Sequence, residues 1–442
     1  MSKNTVLSPD FVAEPYWWQG YRPVAQDQAD IPAATQVAII GSGYAGLSCA
    51  LTLQRAGVQT VVLEAGVPGE GASTRSGGAV AGGLHIGKVA KKRGLTNAPD
   101  QSAILASAEQ AYAFLDDLIT TEAIDCSWEK RGRFVGAWNA AHHELQAQRV
   151  SELQERGETG IHLLNREQQS TEIASDFHHG GLVADRSGKL HPALFYKGLL
   201  DATLAAKATI CAHAKVLSLR RHGSGWQATT TRGHITAEHI VVATNGYTDN
   251  LVPKLQRRII PVCSHVIATE PLPAELATSL LPKGRTVAET QRILCYYRMS
   301  PDGSRLIFGG RARFTPARPE TIATILHKYM TRRFPQLQPF KVSHAWSGNV
   351  ALTFDGLPHA NIMDGLHYAL GCNGSGIATM TYLGHRIGLQ ICDDNHQPGG
   401  FEPRGFPGHA FYSGKPSLSL PAIGTWYKVL DAWERKNRVA KH

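Results

Sequence analysis

Glycines at positions 41, 43 and 46 and a carboxylate at Glu64 carry the clearest chemistry in this chain. In Gly41-Ser42-Gly43-Tyr44-Ala45-Gly46 the first glycine permits a tight turn and the second lets the backbone approach a pyrophosphate. The third lets the following helix pack closely on the preceding strand. About 20 residues beyond such a turn, an acid at a strand end accepts hydrogen bonds from an adenosine ribose. Glu64, followed by Ala65, stands at that spacing. The chemistry is the binding of a dinucleotide, and the spacing leaves FAD and NAD both open.

These residues need a strand, a helix and a second strand to position them, and the sequence supplies all three. The β-branched run Val37-Ala38-Ile39-Ile40 predicts a buried strand. Leu47, Ala50, Leu51 and Leu53 fall at helical spacing, so the amides of the first turn point at the phosphates. Ala56-Gly57 closes that helix, and Val61-Val62-Leu63 predicts the second strand. A lone Gly-rich turn is weak evidence; one framed in this order is strong. Ile31 to Gln54 holds no charge, yet its polar Gly-rich turn marks a buried unit rather than a membrane span.

At 442 residues the chain is about three domains long, or one large α/β core with an inserted domain. With 43% apolar and 18% charged residues it reads as globular. Lys3, Pro9, Asp10 and Glu14 leave no apolar signal segment, so the cytoplasm is the expected location. Seven cysteines are scattered without a CxxC, which predicts reduced core thiols. The pairs His142-His143 and His178-His179 point to different sides of any regular element, and no metal site is expected. The net charge of +9 comes from spread basic residues rather than one basic element, which argues against nucleic acid. An anionic ligand drawn in by a positive field fits better. Tyr16-Trp17-Trp18, Tyr21 and Pro23 predict an ordered arm over residues 1–29 that packs on the body.

A second Gly-rich tract follows Glu64: Gly69-Glu70-Gly71-Ala72-Ser73-Thr74-Arg75-Ser76-Gly77-Gly78, continuing to Gly82-Gly83-Leu84-His85. It resembles the GASxRNGG segment of the FAD-dependent D-amino acid oxidase, glycine oxidase and sarcosine oxidase superfamily. There the segment runs along the pyrophosphate and then under the flavin ring. Ser76 stands where asparagine is usual, and its hydroxyl still offers a hydrogen bond. Leu190-His191-Pro192 resembles that superfamily's helix opening. The strand from Lys215 to Leu219, with Val216, resembles its adenine-bracketing segment. His239 to Gly246, ending in Thr244 and Asn245, resembles the strand that returns to the FAD domain. Trp346-Ser347-Gly348, then Thr353-Phe354-Asp355-Gly356-Leu357-Pro358, then Gly371-Cys372-Asn373-Gly374-Ser375-Gly376-Ile377 resemble its closing signature. In that signature a helix N-terminus faces the flavin, which suits a reduced flavin's negative charge. FAD therefore outranks NAD as cofactor.

The resemblance implies an α/β fold, a Rossmann-like FAD-binding domain with an inserted α+β substrate domain. The FAD domain is expected from residues 30–90, 180–250 and 345–395, and the substrate domain from 95–179 and 255–344. Residues 396–442 form a tail in which Trp426, Val429, Leu430 and Trp433 share one face, expected to dock on the body rather than on a membrane.

Tyr296-Tyr297-Arg298, the run Arg305 to Gly310 and the aromatic arm are most similar to γ-glutamylputrescine oxidoreductases and related amine oxidases. That resemblance implies oxidation of a carbon next to nitrogen to an imine, hydrolysed to an aldehyde or keto acid, with a small amine as partner. Arg298 would then pair with a substrate carboxylate, or else sit in a salt bridge within the sheet. Tyr296 shares its strand face with Arg298. His85 would lie beside the flavin or be structural, and Trp346 would wall the pocket or be core. Sarcosine oxidases carry an oxygen-activating lysine where this chain has Ile307 and Phe308. O2 and a quinone or carrier thus both stand as electron acceptors, and a flavin-bearing assembly protein without turnover is the third reading. Cys372, beside the flavin turn, raises the question of a covalent link.

Overall fold

A computed structural model describes residues 6–24, 29–83, 98–311, 313, 316–393, 395–402, 405–409, 412–415, 425–426, 429–431 and 433–434. Within these, two sheets organise the chain. The first has eight strands around a parallel centre of Gly233–Val242, Ala34–Ile40, Thr60–Leu63 and Thr209–Cys211. Val37, Ala38 and Ile39 are fully buried because both faces of a parallel sheet are covered, which is why that strand reads as a continuous apolar run. The hairpin Val216–His222 and Gly225–Thr230 extends one side, and Leu366–Leu370 joins in parallel beside Val241 and Val242.

Helix Tyr44–Arg55 leaves the first strand as the apolar spacing predicts. Helix Gly376–Cys392 crosses it where Gly384 meets Ala45: a side chain at 384 would stand 2.1 Å from the Ala45 carbonyl oxygen. This close crossing brings the N-termini of both helices to the same end of the sheet.

The second sheet has nine strands in the order Leu7–Val12, Val342–Leu352, Ile260–Thr269, Leu306–Gly310, Cys295–Met299, Thr286–Glu289, Arg133–Gly136, Gly181–Ala184 and Ile161–Leu164. One face carries Phe134, Val287, Tyr297 and Phe308 onto helix Pro319–Arg333. Side chains alternate along each strand, so Val135, Ala288, Tyr296 and Val266, paired in register, share the opposite face. That face fronts the cavity described below.

The sheets partition the chain differently from the expected ranges in three places. Gly181–Ala184 pairs with Arg133–Gly136 and Ile161–Leu164, so it belongs to the second sheet. Val342–Leu352 runs beside Ile260–Thr269 in that sheet too. The arm contributes Leu7–Val12 as an edge strand. The tail docks through Phe401 and Phe406, buried in the core, and further along through its acids rather than through the Trp426 face. Asp431 is buried, accepting from the Ile293 backbone N–H at 2.9 Å, and Glu434 pairs with Arg292 at 2.7 Å. Trp426, Val429 and Trp433 are left exposed. Among the described residues, no helix is long and apolar enough to cross a membrane.

Candidate active site

The Gly-rich turn folds back on itself as the spacing requires. Gly41 has φ +101°, a left-handed conformation that glycine alone adopts freely, and a Cβ at Gly46 would lie 1.9 Å from the Gly41 carbonyl oxygen. At Gly43 the only nearby atom is Ser73 Oγ, 3.2 Å from where a Cβ would stand. Glu64 is fixed at the strand end. Its Oε2 accepts from the Ser42 backbone N–H at 2.9 Å and the Ser42 hydroxyl at 2.6 Å, and its Oε1 accepts from the Gly66 N–H at 3.0 Å.

The second Gly tract is held by its carbonyls. Tyr44 Oη donates to Ser73 O, Trp346 Nε1 to Arg75 O, Trp17 Nε1 to Ser76 O and Arg298 Nη1 to Gly78 O. Four side chains from four distant segments therefore fix the shape of one loop. Thr74, fully buried, donates to Gly69 O at 2.7 Å and accepts from Trp18 Nε1.

The third wall is the turn ahead of helix Gly376–Cys392. Asn245 Oδ1 accepts from the Gly371 and Cys372 N–H groups at 3.0 and 3.3 Å. Asn373 Oδ1 accepts from Thr353 N–H, and its Nδ2 donates to Gly371 O. Asp355 lies behind this turn, accepting from Leu357 N–H and contacting His359 at 3.0 Å.

All three walls face one cavity of about 1080 Å³. It is lined by Gly41 to Ala45, Glu64, Ala65, Ala72, Ser73, Arg75, Ser76, Gly77, Val216, Thr244, Asn245 and Asn373 to Ile377. Tyr296 lies under the tract: a Cβ at Gly77 would come 2.6 Å from its ring. Burial raises its phenol above the ordinary range, and its hydroxyl is hydrogen-bonded to Ser264 at 3.2 Å. Gly46, Thr74, Gly78, Asp355, Arg298 and Trp346 are not among the described lining residues. They stand one layer back. His85 lies outside the described residues.

Arg298 is placed differently from the substrate-facing expectation. Its guanidinium donates to Gly78 O at 2.9 Å, Leu190 O at 2.7 Å and Met299 O at 3.0 Å, with Trp17 stacked 5.4 Å away. Burial pushes its pKa down to about 10. No carboxylate among the described residues forms an ion pair with it, so the salt-bridge reading is replaced by carbonyl contacts. Trp346 packs on Trp17 at 6.3 Å. Sequence reading missed Arg133, which lines the cavity's far end, and Ser264. Alternation along Arg133-Phe134-Val135 was the available signal.

These residues fit FAD. Two helix N-termini open on one cavity, the space at Gly43 would admit a pyrophosphate, and Glu64, on the same lining as Val216, would accept from an adenosine ribose. The family described as FAD dependent oxidoreductase matches residues 36–388. The chain belongs to this FAD-dependent oxidoreductase family.

Relatives agree. The γ-glutamylputrescine oxidoreductase of Escherichia coli is 31% identical over 355 residues, covering 79% of this chain and 82% of that one. A probable oxidoreductase OrdL of Haemophilus influenzae is 29% identical over 412 residues, covering 90% and 92%. The glycine oxidase structure from Geobacillus kaustophilus superposes with a TM-score of 0.71 at 20% identity, covering 83% of this chain and 96% of its own. The L-proline dehydrogenase structure from P. horikoshii gives 0.68 at 16%, covering 82% and 94%. At these identities the two structures bear on the fold, which is shared.

Proposed function

We propose that this FAD-dependent oxidoreductase oxidises the C–N bond of a small amine of the γ-glutamylputrescine type, in polyamine breakdown. The carrying observation is the shape of the cavity wall beyond Tyr296. Val135, Leu153, Ile161 and Leu182 supply apolar wall to the same cavity as the cofactor-binding turns, with Arg133 and Gln146 among them, a mixed lining that suits an amine with a polar end. The 31% identity to the E. coli enzyme supports the same substrate class.

Bound FAD supplies a two-electron acceptor for the hydride leaving the carbon next to nitrogen. The chain's contribution is position and dryness. The apolar wall residues pack against the carbon chain, while the Tyr296 and Ser264 hydroxyls, also on the cavity wall, offer hydrogen bonds. The first turn of helix Gly376–Cys392 presents its amides to the cavity, which favours negative charge there. No histidine is among the described lining residues, which suits a reaction in which the amine arrives neutral.

O2 is the acceptor in this reading; a quinone or carrier is the second. Ile307 and Phe308 are buried on the strand Leu306–Gly310, and the described lysine on the cavity wall, Lys215, is paired with Asp249 at the adenosine end. That placement favours the second reading. Free cysteines at all seven positions, six of them buried, fit a reducing compartment such as the cytoplasm.

Anaerobic mixing with γ-glutamylputrescine, putrescine and glycine tests the proposal. Loss of flavin colour with the first supports it, and no loss with any amine overturns it. Peroxide formed in step with substrate on admitting air identifies O2; a flavin that stays reduced until a quinone is added identifies the other acceptor.

A further inference from the structure

Arg133 is a half-buried cation whose Nε is buried without a partner among the described residues. It opens the strand Arg133–Gly136, in register with Thr286 on one side and Ala184 on the other. Its side chain lies on the same sheet face as Val135 and fronts the cavity. No carboxylate, carbonyl or hydroxyl among the described residues accepts from it, and its Nε is buried without a partner. Burial, with no opposing charge to offset it, pulls its pKa down to about 10. A guanidinium with a buried, unsatisfied N–H favours a ligand that supplies the missing acceptor.

A second orphan stands beside it. Gln146, on helix Ala140–Gln154, donates through Nε2 to the carbonyl of Val135, two residues along from Arg133. Its Oε1 is buried, faces the same cavity and has no donor. Leu153, Ile161, Leu182 and Ala184 line the wall here, with Arg149, paired with Glu152, on the same helix as Gln146. The chain thus presents a strong fork-shaped donor and a neutral acceptor on one part of the cavity wall. A carboxylate with an adjacent ammonium matches both, the first taken bidentately by the guanidinium.

We propose that Arg133 and Gln146 form the subsite for an α-amino-acid head group on a substrate whose oxidised C–N bond lies remote from that head. This rests on the amine-oxidation reading above. Remoteness follows from the sheet. Arg133 and Tyr296 are two strands and two residues apart, roughly 12 Å between Cα atoms at ordinary strand spacings. Tyr296 touches the second Gly tract, so a substrate reaching both must be extended. Glycine, with its carboxylate one carbon from nitrogen, does not span this distance.

The test uses the FAD-loaded enzyme and a matched pair of amines, γ-glutamylputrescine and the analogue lacking its α-carboxylate. In the native enzyme the carboxylated amine should show a KM about 10- to 100-fold lower, the worth of a charge-assisted bidentate contact. Arg133→Met should erase that ratio while leaving FAD loading within about twofold. Arg133→Lys should restore part of it. As a separate readout, glutamate is titrated while the flavin absorbance is followed. Saturable perturbation in the native enzyme, weakened at least about tenfold in Arg133→Met, supports the subsite even if no amine is oxidised. An unchanged KM ratio in Arg133→Met, or glutamate binding indifferent to the substitution, overturns it. Should Arg133→Met fail to fold, the same ratios in Arg133→Lys and Gln146→Leu decide. Retention of the full native preference in both would sink the proposal.

Discussion

The Trp17 indole N–H donates to the Ser76 carbonyl at 2.7 Å, joining positions 59 residues apart. Seating of the N-terminal arm and shape of the second Gly tract are therefore one equilibrium. Trp17→Phe keeps much of the ring packing and removes the donor, at about 1 kcal/mol. The expected result is a lower Tm and earlier loss of FAD on gel filtration. Trp18→Phe should do less, because its partner Thr74 Oγ1 keeps its own bond to Gly69 O.

Two alanine substitutions separate folding from cofactor binding within the turn. Gly46→Ala forces a methyl to 1.9 Å from a backbone oxygen and should destabilise the apoprotein by about 1–3 kcal/mol or more. Gly43→Ala meets only a serine hydroxyl at 3.2 Å and should fold. It fills the space reserved for the pyrophosphate, so apoprotein Tm should hold while FAD uptake, followed by flavin fluorescence quenching, falls. Undiminished uptake by Gly43→Ala would contradict this assignment.

Arg298 holds carbonyls and should behave as a positioning residue. Arg298→Met leaves the carbonyls of Gly78 and Leu190 without their donor, yet relieves the cost of a buried cation. The net loss should be about 1–3 kcal/mol, read by thermal denaturation, with weaker FAD retention. The preference among amines should not move. A changed preference at native FAD loading would return Arg298 to the substrate.

Acid should act through Glu289. It is buried against Arg333, whose Nη2 donates to Oε2 at 2.6 Å. Burial pushes the carboxyl up, but the Arg333 charge and hydrogen bonds outweigh it and hold the pKa at about 2, below the ordinary 4.5. A depressed folded pKa contributes stability in full above the ordinary value, lost as pH falls toward the folded one. Tm should drop between about pH 4.5 and 2. Glu289→Gln should be less stable at neutral pH by about 3–5 kcal/mol, leaving Arg333 unpaired, and show a flatter acid limb.

The strand, turn, helix and acid around Gly41 were legible because glycine geometry and apolar period are local properties. So was the joining of the Asn373 turn to the same cavity, through resemblance. What local pattern did not tell was which arginine faces the cavity. Arg298 and Arg133 lie on the same face of one sheet, and the arm decides between them: Trp17, some 280 residues away in sequence, covers Arg298 and leaves Arg133 open. The tail misled for a related reason. Its apolar spacing pointed Trp426 and Trp433 inward, but Arg292 and the Ile293 N–H drew Asp431 and Glu434 to the body instead. Long-range charge pairing outweighed helical period there.

The cradle that spans Gly41 to Ile377 has one further consequence, for biosynthesis. The pyrophosphate turn leaves the ribosome well before the Gly374–Ile377 amides, some 330 residues further along. Between them every intervening strand must emerge, and the arm must wait for Val342–Leu352 before its own strand has a neighbour. A nascent chain holds only half a binding site. The cavity is complete only once both of these walls are in place.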